Sequence, residues 1–174
     1  FTLILLSIII LLPSCRSSSS QDITVYDLGE ADKKTITGVD VQVTPFIENA
    51  GSSKYMMAYR TGNNRIVKDF YNRWSLSPAQ LVTGYLRETF MLSGKGNSGS
   101  LTKLTVSGRL ILFEIDLVKK CVRLGVKYRI INSAGEVVYY GADIYEEDFK
   151  REAPSVFAEK MSMAAEKLSA ELYS

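Results

Sequence analysis

The chain has 174 residues, a formal charge of +2, 46% apolar residues, two cysteines and no histidine. Near-neutral charge excludes a field broad enough to hold nucleic acid. The missing histidine removes Ser-His and Cys-His catalysis and the commonest metal ligand. With no glycine-rich phosphate loop, Cys-x-x-Cys pair or calcium loop either, the residues point away from an enzyme.

Residues 1–12 are apolar apart from Thr2 and Ser7. This run is shorter than the roughly 20 residues of a spanning helix and has the length of a secretory signal core. Signals begin with Met and basic residues. Both are missing, so residues 1–14 are expected to be a signal peptide truncated at its start. Leu12-Pro13-Ser14-Cys15 resembles the lipobox of bacterial lipoproteins, with Leu three residues before the Cys and a small residue directly before it. The resemblance implies cleavage before Cys15 and acylation of its thiol and new amino group. Each buried acyl CH₂ contributes about 0.8 kcal/mol, and more than one chain anchors stably. That covalent lipid is the one prosthetic group expected; no separate cofactor is. Arg16 and Ser17 to Ser20 cannot bury enough surface to order themselves, so residues 15–22 read as lipidated Cys and flexible tether. In lipoprotein sorting an Asp after the Cys retains the chain at the inner membrane; Arg16 favours the outer membrane. Cys121 then lacks a disulfide partner and reads as a quiet, partly buried thiol.

The remainder, residues 23–174, is long enough for one domain. "ITVYDL" (23–28) alternates as a short strand. Val39, Val41 and Val43 make a half-buried strand ended by Pro45, and "IENAGSSK" (47–54) is a loop. "YMMAYRTGNNRIVKDF" (55–70) reads as two short strands around Thr61-Gly62-Asn63-Asn64, whose Gly and Asn tolerate positive φ. Ser77, Pro78 and Gln80 form a helix start with a capping box. Leu81, Val82, Tyr85, Leu86, Thr89 and Phe90 make one apolar face, and Gly94 is the expected stop. A three-stranded meander follows: 103–117, with Gly108 marking a bulge, then 121–131 and 136–147. In its middle strand Val122, Leu124, Val126, Tyr128 and Ile130 alternate with Arg123, Lys127 and Arg129. Glu146, Glu147 and Asp148 read as a solvated turn. A last helix runs from Pro154 to Ser174 with Ser155 as cap. Six or seven strands and two main helices predict an α+β fold, a mixed and largely antiparallel sheet with a helix layer on one face.

Residues 55–90 carry a resemblance to the ABC-type transport auxiliary lipoprotein family, the lipoprotein partners of MCE-type lipid transport systems. The family shows a Y-x-L strand, here Tyr26-Asp27-Leu28. It then shows an hM-x-Y-R strand, matched by Met57, Tyr59 and Arg60. An aromatic-x-R-W element, a Pro and a Leu-rich helix follow, matched by Tyr71, Arg73, Trp74, Pro78, Leu81 and Leu86. A later strand (Val122, Leu124) and a G-x-V turn (Gly135, Glu136, Val137) also fit. The "IENAGSSK" connection departs from the family, which carries a P-x-x-L segment there. The resemblance implies a fold similar to the N-terminal domain of the TolB translocation protein. It further implies a non-catalytic subunit on the periplasmic face of a membrane. Such a subunit helps an ABC permease and its MCE-domain protein move lipid between membranes, and homo-oligomers are expected.

Cys15 is the expected lipidation site. Arg73, Trp74, Arg123, Lys127 and Arg129 are the candidate contacts for a partner or lipid, since Trp and Arg are enriched in binding hot spots. The plainer roles are a core anchor for Trp74, a loop hydrogen bond for Arg73 and a solvated stripe for the other three. Two rival functions stay open: a lipoprotein that assembles an outer-membrane complex without a transporter, and a periplasmic enzyme with convergent carboxylates or hydroxyls.

Overall fold

Alternation in the second half of the chain builds the sheet. The computed structural model describes residues 22–48, 54–94 and 101–173. The signal segment, Cys15 and the serines lie outside the described residues. Within them are eight strands: β1 (Thr24–Tyr26), β2 (Val39–Val43), β3 (Ile47–Glu48), β4 (Met56–Gly62), β5 (Arg65–Trp74), β6 (Thr102–Asp116), β7 (Cys121–Asn132) and β8 (Val137–Asp148). Two helices accompany them, α1 (Pro78–Thr89) and α2 (Pro154–Tyr173). The sheet is mixed, ordered β1-β5-β4-β6-β7-β8. β6 is its spine: β7 pairs antiparallel along one side, while β2, β3 and β4 follow one another, parallel, along the other. The chain is therefore α+β, as its element order predicts.

One face of the sheet is covered. Val106, Leu110 and Ile115 of β6 and Val122, Leu124, Val126 and Tyr128 of β7 join a single core with Leu81, Val82, Tyr85 and Leu86 of α1 and Phe157, Met161, Ala164 and Leu168 of α2. Each fully buried side chain of this size contributes about 1.5–3 kcal/mol. The segment between β1 and β2 crosses the helix layer. Lys34 N donates to Thr89 O at 2.8 Å, and Ser162 Oγ of α2 donates to Leu28 O at 2.5 Å.

Several details differ from the sequence reading. The 47–54 stretch contains β3, and this two-residue strand delivers Glu48 to the start of α1. There Glu48 Oε1 accepts the Ala79 N–H at 2.8 Å, a carboxylate at the positive end of a helix. The capping box of Ser77 and Gln80 is as expected, Ser77 N donating to Gln80 Oε1 at 3.1 Å. α1 stops at Thr89, five residues before Gly94, because Thr89 O is taken by the crossing segment. α2 starts at Pro154, so Ser155 lies inside the helix and does not cap it. Gly108 is not a bulge; the bulge falls between Leu110 and Leu112. Gly108 is bare because Phe46 lies over it: a Cβ there would stand 2.4 Å from the Phe46 ring. The β4–β5 hairpin turns at Asn63-Asn64, and neither residue has positive φ.

Candidate functional site

The uncovered face of the sheet carries the remaining chemistry. Register fixes its rows. Glu114, Arg123 and Glu146 stand abreast on β6, β7 and β8, as do Leu112, Gly125 and Ile144, then Arg109, Lys127 and Ala142, then Ser107, Arg129 and Tyr140. The face thus changes from a carboxylate-rich row, through an apolar row, to a basic end.

The first row is a network. Glu114 is buried and takes both Arg60 Nε at 2.6 Å and Arg60 Nη2 at 2.7 Å, a bidentate pair. Arg123 Nη1 donates to Glu114 Oε1 at 3.1 Å and its Nε to Glu146 Oε1 at 2.8 Å. Asp116 stands 3.9 Å from Arg123, and Lys119 3.6 Å from Glu146. Four strands are tied by these contacts. The carboxylates hold both arginines protonated, with pKa values above the ordinary arginine range. For Arg60 the Glu114 hydrogen bond is the main cause. For Arg123 burial opposes the charge, and the hydrogen bonds it donates to Glu146 and Glu114 outweigh it. A shallow cleft of about 390 Å³ opens beside them, lined by Arg60, Asn63, Asp116, Val118, Lys119 and Arg123. Its three cations face three carboxylates, so the cleft has no surplus charge for an anion.

Arg123, Lys127 and Arg129 do share one face. The stripe is split, however: Arg123 is consumed by the network, whereas Lys127 and Arg129 are exposed and make no ion pair among the described residues. Trp74 is only 3% exposed and packs edge-on to Phe113, with ring centroids 5.1 Å apart. It is a core residue, and a partner cannot reach it in this fold. Arg73 donates from Nε to Phe70 O at 2.8 Å and lays its guanidinium 4.3 Å above the Phe70 ring. Cys121 is buried. Burial, then Glu146 and Asp116, push its thiol up to about 11, so it stays protonated at neutral pH. The Glu146–Asp148 cluster is the end of β8 rather than a turn. Glu146 joins Arg123, and Glu147 meets Lys167 at 2.5 Å.

Sequence reading missed Glu114 and the supporting role of Arg60. The signal was present: two carboxylates inside "RLILFEIDL", Glu114 and Asp116, require a cation, and Arg60 is the charge inside the matching strand. It also missed a carboxylate clasp under the helices. Tyr128 and Tyr145 hydroxyls donate to the two oxygens of Glu171 at 2.8 and 2.6 Å, fastening α2 to β7 and β8. The Tyr145 bond is the main cause holding Glu171 below the ordinary glutamate range; burial opposes it. Among the described residues no three His, Cys, Asp or Glu side chains form a metal-binding group, and no helix is long and apolar enough to cross a membrane.

No protein-family model matches the chain, and no curated protein does. Solved structures do. A Xanthomonas campestris protein of a family described as DUF330 superposes with a TM-score of 0.71 at 12% identity, over 86% of this chain and 92% of its own. An uncharacterised protein superposes with a TM-score of 0.64 at 14% identity, over 87% of this chain and 96% of its own. At such identities the likeness is one of fold.

Proposed function

We propose that this chain is a lipid-anchored auxiliary subunit of an ABC/MCE-type transporter, working on the periplasmic face of a membrane. One observation carries the reading. Of the residues that bear the family resemblance, Leu28, Met57, Trp74, Leu81, Leu86, Val122 and Leu124 are buried in one core and Tyr26 and Tyr59 pack against it, while Tyr71 and Val137 are exposed. The fold likeness extends, in this reading, to the N-terminal domain of TolB.

The mechanism is tethering and docking, without chemistry of its own. Acyl chains on Cys15 hold the domain to the outer membrane, the destination that Arg16 favours. The basic end of the uncovered face, Lys127 and Arg129 beside Tyr140, docks an acidic surface of the MCE-domain protein or the permease. Rim charges of this kind act mainly on association rate and salt dependence. Self-association belongs to the same reading. The test is affinity capture from detergent-solubilised membranes. An MCE-domain protein is expected to co-purify and to be lost at high salt or in Lys127→Glu/Arg129→Glu protein. Capture of porin or envelope-assembly proteins alone would replace this function with outer-membrane assembly.

A further inference from the structure

The edge of the sheet nearest the tether carries an apolar and aromatic patch that the core does not use. Val25 is the register partner of Arg73, so both point away from the core-facing Tyr26 and Trp74. The Arg73 guanidinium covers Phe70, and Tyr71 meets Phe70 edge-on with centroids 5.7 Å apart. Val25 and Phe70 are each 58% exposed, Ile23 49% and Tyr71 39%.

The aromatic pair is held outward by a built irregularity. Met56 pairs with Arg73 and the next residue, Met57, with Asp69, so residues 70–72 bulge from the ladder. Asp69 braces the bulge: Oδ1 accepts the N–H groups of Tyr71 at 2.9 Å and Asn72 at 3.0 Å, and Oδ2 accepts Asn72 Nδ2 at 2.7 Å. A bulge of this kind re-aims side chains and blunts an edge against another strand.

We infer that Val25, Phe70, Tyr71 and Arg73 form a bilayer-contact patch that seats in the headgroup region of the membrane to which Cys15 ties the chain. The inference rests on the anchor reading of Cys15. Eight Cα steps separate Cys15 from Ile23, which reach at most about 28 Å even when fully extended. The β1–β5 edge is thus the part of the sheet that the anchor keeps near the lipid. β8 lies five strand spacings further, about 24 Å. The chemistry suits that place. Aromatic side chains concentrate at the membrane interface, apolar area drives shallow burial, and β5 adds Arg65, Lys68 and Arg73 for lipid phosphates. Its one carboxylate, Asp69, is turned into the bulge. Anchor and patch together would fix the orientation of the domain and hold Lys127 and Arg129, on the same face but three strands from β5, further from the lipid than the patch.

The experiment uses the full protein in vesicles of phosphatidylethanolamine and phosphatidylglycerol containing brominated lipid. A fluorophore is placed at Phe70→Cys, at Val25→Cys as a second position, and at Ile144→Cys on β8. The buried Cys121 escapes labelling. Labels at 70 and 25 are expected to shift to the blue and to be quenched several-fold more than the label at 144. Equal quenching at all three positions, or none at 70 and 25, overturns the inference. So does shielding at 70 that appears without lipid and grows with protein concentration, which would mark a contact between copies. Intact mass reads the anchor independently. Quenching at 70 with an unmodified Cys15 keeps the patch and overturns the anchor reading; an acylated Cys15 with position 70 in water does the reverse.

Discussion

Along β7, alternate residues meet two different worlds. Val122, Leu124, Val126 and Tyr128 face the helices, where shape decides what fits. Arg123, Gly125, Lys127 and Arg129 face outward, where pairing of charge decides. The same twelve-residue strand therefore carries two separate causes of stability. The covered face is dense and intolerant of lost volume. The uncovered face depends on two buried carboxylates, Glu114 and Asp116, and is tolerant elsewhere. Burial classifies residues poorly here, because Glu114 is as buried as its apolar neighbours for an unrelated reason.

The largest effect should come from the covered side. Leu124→Ala removes a fully buried side chain and is expected to lower unfolding free energy by about 4 kcal/mol, measured by urea titration. Arg129→Ala, five residues along on the other face, should change it by less than about 0.5 kcal/mol. Similar losses from both would erase the distinction. Next is Glu114→Ala, which takes from Arg60 its bidentate partner and leaves Arg123 with Glu146 and Asp116. A loss of about 3 kcal/mol is expected, without the exposed apolar surface that follows a core cavity, as read by dye binding. A loss near zero would reduce the network to a solvated surface.

The smallest effect concerns pH. Glu171 is held below its ordinary value near 4.5 by the two tyrosine hydroxyls. Its contribution is thus fully present above that value and is lost as pH falls through the lower folded value. Asp143, raised by burial and by Glu171, works in the opposite sense. The stability gap between the natural chain and Glu171→Gln is expected to narrow as pH drops below about 4.5. A gap constant from pH 6 to pH 3 would mean that the clasp does not titrate with folding.

Much of the fold was legible because alternation at period two is unambiguous when one face is buried. The β7 residues assigned inward are the ones that pack, and α1 begins at Pro78 behind Ser77. What escaped was non-local. β3 has two residues, too few for any period, and exists because β6 is long enough to accept a further partner. The second hairpin strand reads as ending at Phe70, whereas β5 runs on to Trp74, since pairing with β1 and β4 extends it. Gly108 looked like a bulge because no sequence rule can announce that Phe46, sixty-two positions away, needs the room. The candidate site was legible as a list of charges and not as a network, because the partner of each charge lies on another strand.

The position of β6 as spine sets an order of events. β2, β3 and β4 all precede it in the chain, and each needs its backbone to complete a ladder. Until residues 102–116 are available, the first half of the molecule holds little beyond the β4–β5 hairpin, the short β1 and α1 without a sheet to pack on. Loop closure over such separations is slow, and parallel pairing makes it slower. A chain delivered from its N-terminus therefore stays pliable until two thirds of it has arrived, then sets around one strand.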